Sequence, residues 1–231
     1  MPKNQEPVLR RTAVALVALA GLVVSGCGDT GDDGDADPPG VLSYDEIEAA
    51  LLEEGSTVAG GEVGPDDLPG LADDRKAEPA SCQPLSAIID LEPEPVRTGR
   101  VQAKVPRLGP WVHVQLLTYA GDDAEEVFAL VDAAVGECAH GFREDRPRDV
   151  VVETVVRTPA PELGDEATAY AVTNVDALEP EGSDVVEHML LVRDGQQLLS
   201  FRGTTVGDDA DAIALLEAVV DAQWRRYAAS R

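Results

Sequence analysis

Twice in this chain, two stretches of alternating apolar and polar residues run directly into an amphipathic helical pattern, and that order constrains the fold more than any other feature. In the first instance Val101, Ala103 and Val105 alternate with Arg100, Gln102 and Lys104 from Gly99 until Pro106 stops the run. Trp111 to Tyr119 follows, with Val112, Val114 and Leu116 set against His113, Gln115 and Leu117. A period of two places each set on its own side of a sheet. Asp122 reads as the cap of the helix that follows, with Glu125 three residues on. Val127, Phe128, Val131, Ala134, Val135 and Cys138 form its apolar stripe. In the second instance, Val185 to Arg193 and Gln196 to Thr204 read as strands joined by Asp194-Gly195, a type I′ hairpin signal. The next helix carries Ile213, Leu216, Val220, Trp224 and Tyr227 on one stripe. Gly-Asp-Asp-Ala opens both helices, at Gly121 and at Gly207. This is either a trace of an internal ββα duplication or the ordinary preference for Asp before a helix.

Asp149 to Arg157 and Glu166 to Asn174 supply two more strands between these units. The expectation is an α+β domain with a largely antiparallel sheet and amphipathic helices packed on one face. Ahead of it, Ser43 and Glu46 form a capping box for a short helix from Tyr44 to Glu54, with Ile47, Leu51 and Leu52 as its apolar face and Gly55 as its end. A loop rich in Gly, Pro and Asp runs from there to Cys82. Pro84, Pro93 and Pro95 are expected to keep the next segment mostly irregular.

The N-terminus has a different character. Lys3, Arg10 and Arg11 precede an apolar run from Thr12 to Val24 and a small-residue exit, Ser25-Gly26-Cys27. This is the layout of a secretory signal, and the run falls short of the roughly 20 apolar residues that a spanning helix needs. Val24-Ser25-Gly26-Cys27 resembles the bacterial lipobox, with Val24 where leucine is most common. That resemblance implies cleavage before Cys27 and a lipid on its thiol. Gly28 to Gly40 holds five aspartates, four glycines and Pro38-Pro39, a composition that cannot pack and that suits an extended tether. Alternating Asp33, Asp35 and Asp37 suggest a calcium loop, but Pro38 and Tyr44 stand where such a loop needs Gly and Glu. The expected organisation is a signal over residues 1–26, lipidated Cys27 and tether over 27–40, and one extracytoplasmic domain over 41–231, held at the outer face of the cytoplasmic membrane.

The chain carries 44 acidic and 18 basic residues, and losing the signal, with three basic residues and one acidic, takes the net charge from −26 to −28. Such a surface repels nucleic acid. Fifteen of the basic residues are Arg and three are Lys, a bias associated with high-GC bacterial genomes. With Cys27 lipidated, Cys82 and Cys138 are the remaining cysteines, and an oxidising compartment favours their pairing over two buried free thiols. Neither has the cationic or Cys-x-x-Cys setting of a reactive thiol. His113 and His188 fall on strands where they could meet across the sheet, and His140 falls in a turn. No His-Glu-x-x-His, Cys/His ligand spacing, Gly-x-Ser-x-Gly elbow or phosphate-cradling loop occurs. No cofactor or metal is expected, no catalytic residue is assigned, and no ligand-binding residues can be named.

Several local motifs complete the pattern: "Cys-Gln-Pro-Leu" at Cys82 to Leu85, Glu162-Leu163-Gly164-Asp165-Glu166-Ala167, and "Val-Arg-Asp-Gly" at Val192 to Gly195. With the lipobox, the tether and Cys138 they resemble the actinobacterial sensor-domain lipoproteins related to the PknH-like extracellular domain, over roughly residues 41–231. The resemblance implies a non-catalytic α+β domain with a concave sheet face for an unidentified ligand, and structural disulfides. The kinase domain has more bridges, whereas this chain has cysteines for one, and it contains no kinase segment. The leading expectation is a lipid-anchored protein that binds or senses a small molecule or a protein. A carrier of a lipid or other apolar molecule, and a hydrolase with an unrecognised carboxylate site, are the alternatives.

Overall fold

The chain divides into two units, Met1–Asp35 and Ala36–Arg231. The computed structural model describes residues 40–65, 75–90, 97–106, 111–145, 150–174, 185–206 and 209–231, all within the second unit. The expected signal, Cys27 and the tether before Gly40 lie outside the described residues. In chain order the elements are α1 (Tyr44–Ala50), β1 (Thr57–Val58), β2 (Gly61–Glu62), β3 (Gly64–Pro65), β4 (Lys76–Glu78), α2 (Gln83–Asp90), β5 (Gly99–Pro106) and β6 (Trp111–Thr118). There follow α3 (Asp123–Glu137), β7 (Phe142–Asp145), β8 (Val150–Thr158), β9 (Glu166–Asn174), β10 (Val185–Asp194), β11 (Gln197–Val206) and α4 (Ala210–Ala229).

The alternating segments pair into a nine-stranded sheet in the order β3-β5-β6-β11-β10-β9-β8-β7-β4, antiparallel throughout. The α+β class and the antiparallel sheet therefore stand as expected. The placement of the helices differs. Leu117, Tyr119, Tyr170, Val172, Met189, Leu191 and Leu198 face α2 and α3 in one apolar core. Their neighbours along the same strands, Leu116, Ala169, Leu190, Val192, Leu199 and Phe201, face α1 and α4 in a second core on the other side. Helices cover both faces, not one. The reason lies in β6, where every residue from Val112 to Thr118 is buried. A strand with both sets of side chains removed from water needs cover on both sides. The two ββα units thus send their helices to opposite faces. A two-fold relating the antiparallel neighbours β6 and β11 about an axis normal to the sheet would keep both on one face, so this arrangement lends no support to a duplication.

Local chemistry explains the remaining differences. α1 has the expected capping box, with Glu46 N–H donating to Ser43 Oγ and Ser43 N–H to Glu46 Oε2. It ends at Ala50, earlier than the expected Glu54, because Leu51 turns extended and carries itself and Leu52 into the core. The irregular segment expected after Cys82 contains α2 instead. Pro84 sits in its first turn, where a missing N–H costs nothing. Asp122 occupies the cap position of α3, but its φ of −98° and ψ of 8° are not the extended cap geometry and its side chain caps nothing. The stripe expected on α3 is buried in full. On α4 the buried line is Ala212, Leu215, Val219, Gln223 and Tyr227, while Ile213, Leu216, Val220 and Trp224 flank it. Gln223 is admitted there because Leu52 N–H donates to its Oε1 at 2.9 Å and its Nε2 donates to Ala50 O at 2.8 Å. The β10–β11 turn lies one residue later than expected, at Gly195-Gln196, with Asp194 opposite Gln197. Positive φ at Gly195 alone matches a type II′ turn, not type I′.

Candidate functional site

The two cysteines meet. Cys82 and Cys138 form a disulfide with Cα atoms 5.9 Å apart, and both residues are buried. The bridge fastens the start of α2 to the C-cap of α3. The other residues of "Cys-Gln-Pro-Leu" serve the same joint. Ala77 N–H donates to Gln83 Oε1 at 2.9 Å and Gln83 Nε2 donates to Arg75 O at 3.1 Å, so one side chain grips β4 and its approach. Leu85 is buried in the core below.

The other two motifs also contact each other. Asp165 N–H donates to Arg193 O at 2.8 Å, Gly195 N–H donates to Asp165 Oδ2 at 2.8 Å, and Arg193 Nε donates to Glu166 Oε2 at 2.8 Å. Gly164 makes the approach possible: its φ is +61°, and a Cβ there would lie 2.3 Å from Arg193 O. These motifs build a corner of the sheet, and nothing in them converges on a ligand. Nearby, Asp194 pairs with Arg231, whose guanidinium lies over the Tyr227 ring. Burial pushes the Tyr227 phenol pKa up, and Asp194 reinforces the shift.

The histidines do not converge. His113 stands opposite Arg202 and His188 opposite Gly203, one residue out of phase, so the two rings are on opposite faces of the sheet. His188 Nε2 lies 3.1 Å from Thr205 Oγ1, and burial lowers its pKa. His140 is exposed in the turn after α3. Among the described residues no group of three His, Cys, Asp or Glu side chains is placed to hold a metal.

What the sheet does bring together is a polar cluster on the α2–α3 side. The apolar core there includes Leu117 on β6, Leu198 on β11 and Met189 on β10. Further along, the same face carries Gln115, His113 and Trp111 on β6, Lys104 on β5, Ser200, Arg202 and Thr204 on β11, and Glu187 on β10. Lys104, His113, Arg202 and Met189 form one row across four strands. Lys104 Nζ and the Arg202 guanidinium carbon each lie 5.3 Å from the centre of the Trp111 ring, and His113 meets that ring edge-on at 4.3 Å. Arg202 Nη2 also bridges Glu187 Oε1 at 3.3 Å. Gln115 Oε1, Arg202 Nε and Thr204 Oγ1 are removed from solvent with no hydrogen-bond partner among the described residues. Such atoms are costly unless something pairs with them.

Apart from His113, considered above as a partner for His188, none of these residues stands out as a site in the sequence. Lys104, His113 and Gln115 fell in the polar phase of their strands, which reads as a solvated face when one side of a sheet is taken to be bare. The available signal was Leu117 in that phase, an apolar residue that marks the polar side as covered too.

No protein-family model matches the chain, and neither does any curated protein sequence. Among solved structures, it is similar to the extracellular domain of PknH from Mycobacterium tuberculosis, with a TM-score of 0.52 and 13% sequence identity over 79% of this chain and 97% of that one. The chain has a PknH-like fold. At this identity the likeness of the PknH-like sheet concerns architecture alone and does not extend to the side chains of the polar cluster.

Proposed function

We propose that the chain is an exported lipoprotein whose domain binds or senses a ligand without transforming it. In this reading residues 1–26 are the signal, Cys27 carries the lipid, residues 28–40 are the tether and residues 41–231 stand at the outer face of the cytoplasmic membrane. The observation that carries the binding function is the set of shielded polar atoms at Gln115, Arg202 and Thr204 that have no partner among the described residues, on a sheet face that also presents an aromatic ring and two cations. A bound molecule supplying the missing hydrogen bonds would recover their desolvation cost. The PknH-like fold supports an extracellular placement, since the solved neighbour is an extracellular domain.

A thermal-shift screen of the full chain against a small-molecule library tests this reading. A ligand at about 100 times its Kd stabilises the folded state by about 2.7 kcal/mol. The expected result is a saturable rise in Tm that Thr204→Val diminishes, with the ligand recovered unchanged. Conversion of the ligand to product, or a library without a single stabilising compound, overturns it.

A further inference from the structure

The chemistry of the cluster narrows what the ligand is. In a chain with 44 acidic and 18 basic residues, most local surfaces are negative. This one is not. Among the described residues Lys104 Nζ meets the Trp111 ring and no carboxylate, so its charge is available to a ligand. Arg202 spends one Nη on Glu187 and keeps Nε without a partner. Among the described residues of the cluster, two cationic side chains, Lys104 and Arg202, stand beside one carboxylate, Glu187. Arg and Lys donors recognise oxyanions through charge-assisted hydrogen bonds.

A bare oxyanion leaves part of the cluster unanswered. Gln115 is 6% exposed, and its Oε1 has no donor. Thr204 Oγ1, shielded as well, takes either role. The Gln115 acceptor requires an O–H or N–H from the ligand. We infer that the β5–β6–β11 face binds a hydroxylated organic anion, its carboxylate or phosphate held by Lys104 and Arg202 and its hydroxyls by Gln115 and Thr204. Acidic sugars and phosphorylated polyols share this chemistry. The inference rests on the ligand-binding reading above and deepens it.

Four probes separate the parts of the inference: D-glucuronate and inositol 1-phosphate carry both charge and hydroxyls, D-glucose carries hydroxyls alone, and sulfate carries charge alone. Each is titrated into the 15N-labelled full chain in detergent, following the Trp111 indole N–H, which Trp224→Phe assigns because the chain has two tryptophans. Glucuronate or inositol 1-phosphate should move that resonance saturably, and the tighter of the two identifies the anion. Lys104→Gln, at a partly exposed position that the fold tolerates, should weaken it by about tenfold or more. Gln115→Leu should erase the preference for glucuronate over sulfate. Glucose binding as tightly as glucuronate, or Lys104→Gln without effect, overturns the anionic class while leaving the ligand-binding reading intact. Sulfate binding as tightly as glucuronate overturns the hydroxyl requirement. No movement of Trp111 with any probe overturns the inference at this face, and the thermal screen then decides the broader reading alone.

Discussion

At the scale of single residues, two glycines make opposite demands. Gly164 sits at φ +61° with Arg193 O in the space of a Cβ, so Gly164→Ala adds left-handed strain and a backbone clash and should cost about 2–4 kcal/mol in urea unfolding. Gly136 lies exposed in α3 with nothing within 4 Å of its Cβ position, so Gly136→Ala should stabilise by up to about 1 kcal/mol. Equal effects at the two sites would refute the structural distinction. His188 supplies a test in pH. Burial holds its pKa below 6.5, so the fold prefers the neutral ring. Its contribution is present above the unfolded value of about 6.5 and is lost as pH falls through the lower folded value. An NMR titration should find the midpoint below 6.5, and a midpoint above it contradicts the burial argument. Gln223 shows why residue roles escape a reading of the sequence. It interrupts the otherwise apolar line on α4, and its burial makes sense only once Leu52 N–H and Ala50 O, more than 170 residues away, are seen to need it.

Between elements, the strongest constraint is the bridge between the start of α2 and the end of α3. Closing a loop with 56 residues of separation restricts the unfolded chain by about 4 kcal/mol on the entropic model. Replacing Cys82 and Cys138 by Ala together should lower the unfolding free energy from denaturant titration by up to that amount, and reduction should do the same without further effect on the double variant. An unchanged midpoint would mean that α2 and α3 hold each other without it. Element types were readable where one period ran for eight residues or more, as in β5, β6, β9 and α3. The helix faces were less so, since alternation shows that a strand has two sides but not that both are covered. The short strands β1 to β4 and the helix α2 were hidden by a composition rich in Gly and Pro. β3 and β4 owe their form to partners distant in sequence, β5 and β7, whereas β1 and β2 pair with each other across a short turn.

For the whole molecule, the anchor and the domain are expected to be separable. Cys27→Ser should release the protein from the membrane fraction or leave it unprocessed, with the far-ultraviolet circular dichroism unchanged, and persistence in the membrane would refute the anchor. Among the described residues no helix is long and apolar enough to cross a membrane. The polar cluster could not be composed from the sequence, because its members come from β5, β6, β10 and β11 and only register sets them side by side.

That β6 and β11 are buried on both sides also bears on how the molecule comes apart. Its two apolar cores share strands but no side chain. Either helix layer can loosen while the opposite side of every central strand stays packed. Amide hydrogen exchange should therefore be slowest in β6 and β11, the last segments to open, with α1 and α4 exchanging in one cooperative step and α2 and α3 in another. Adding reductant should hasten the second step alone.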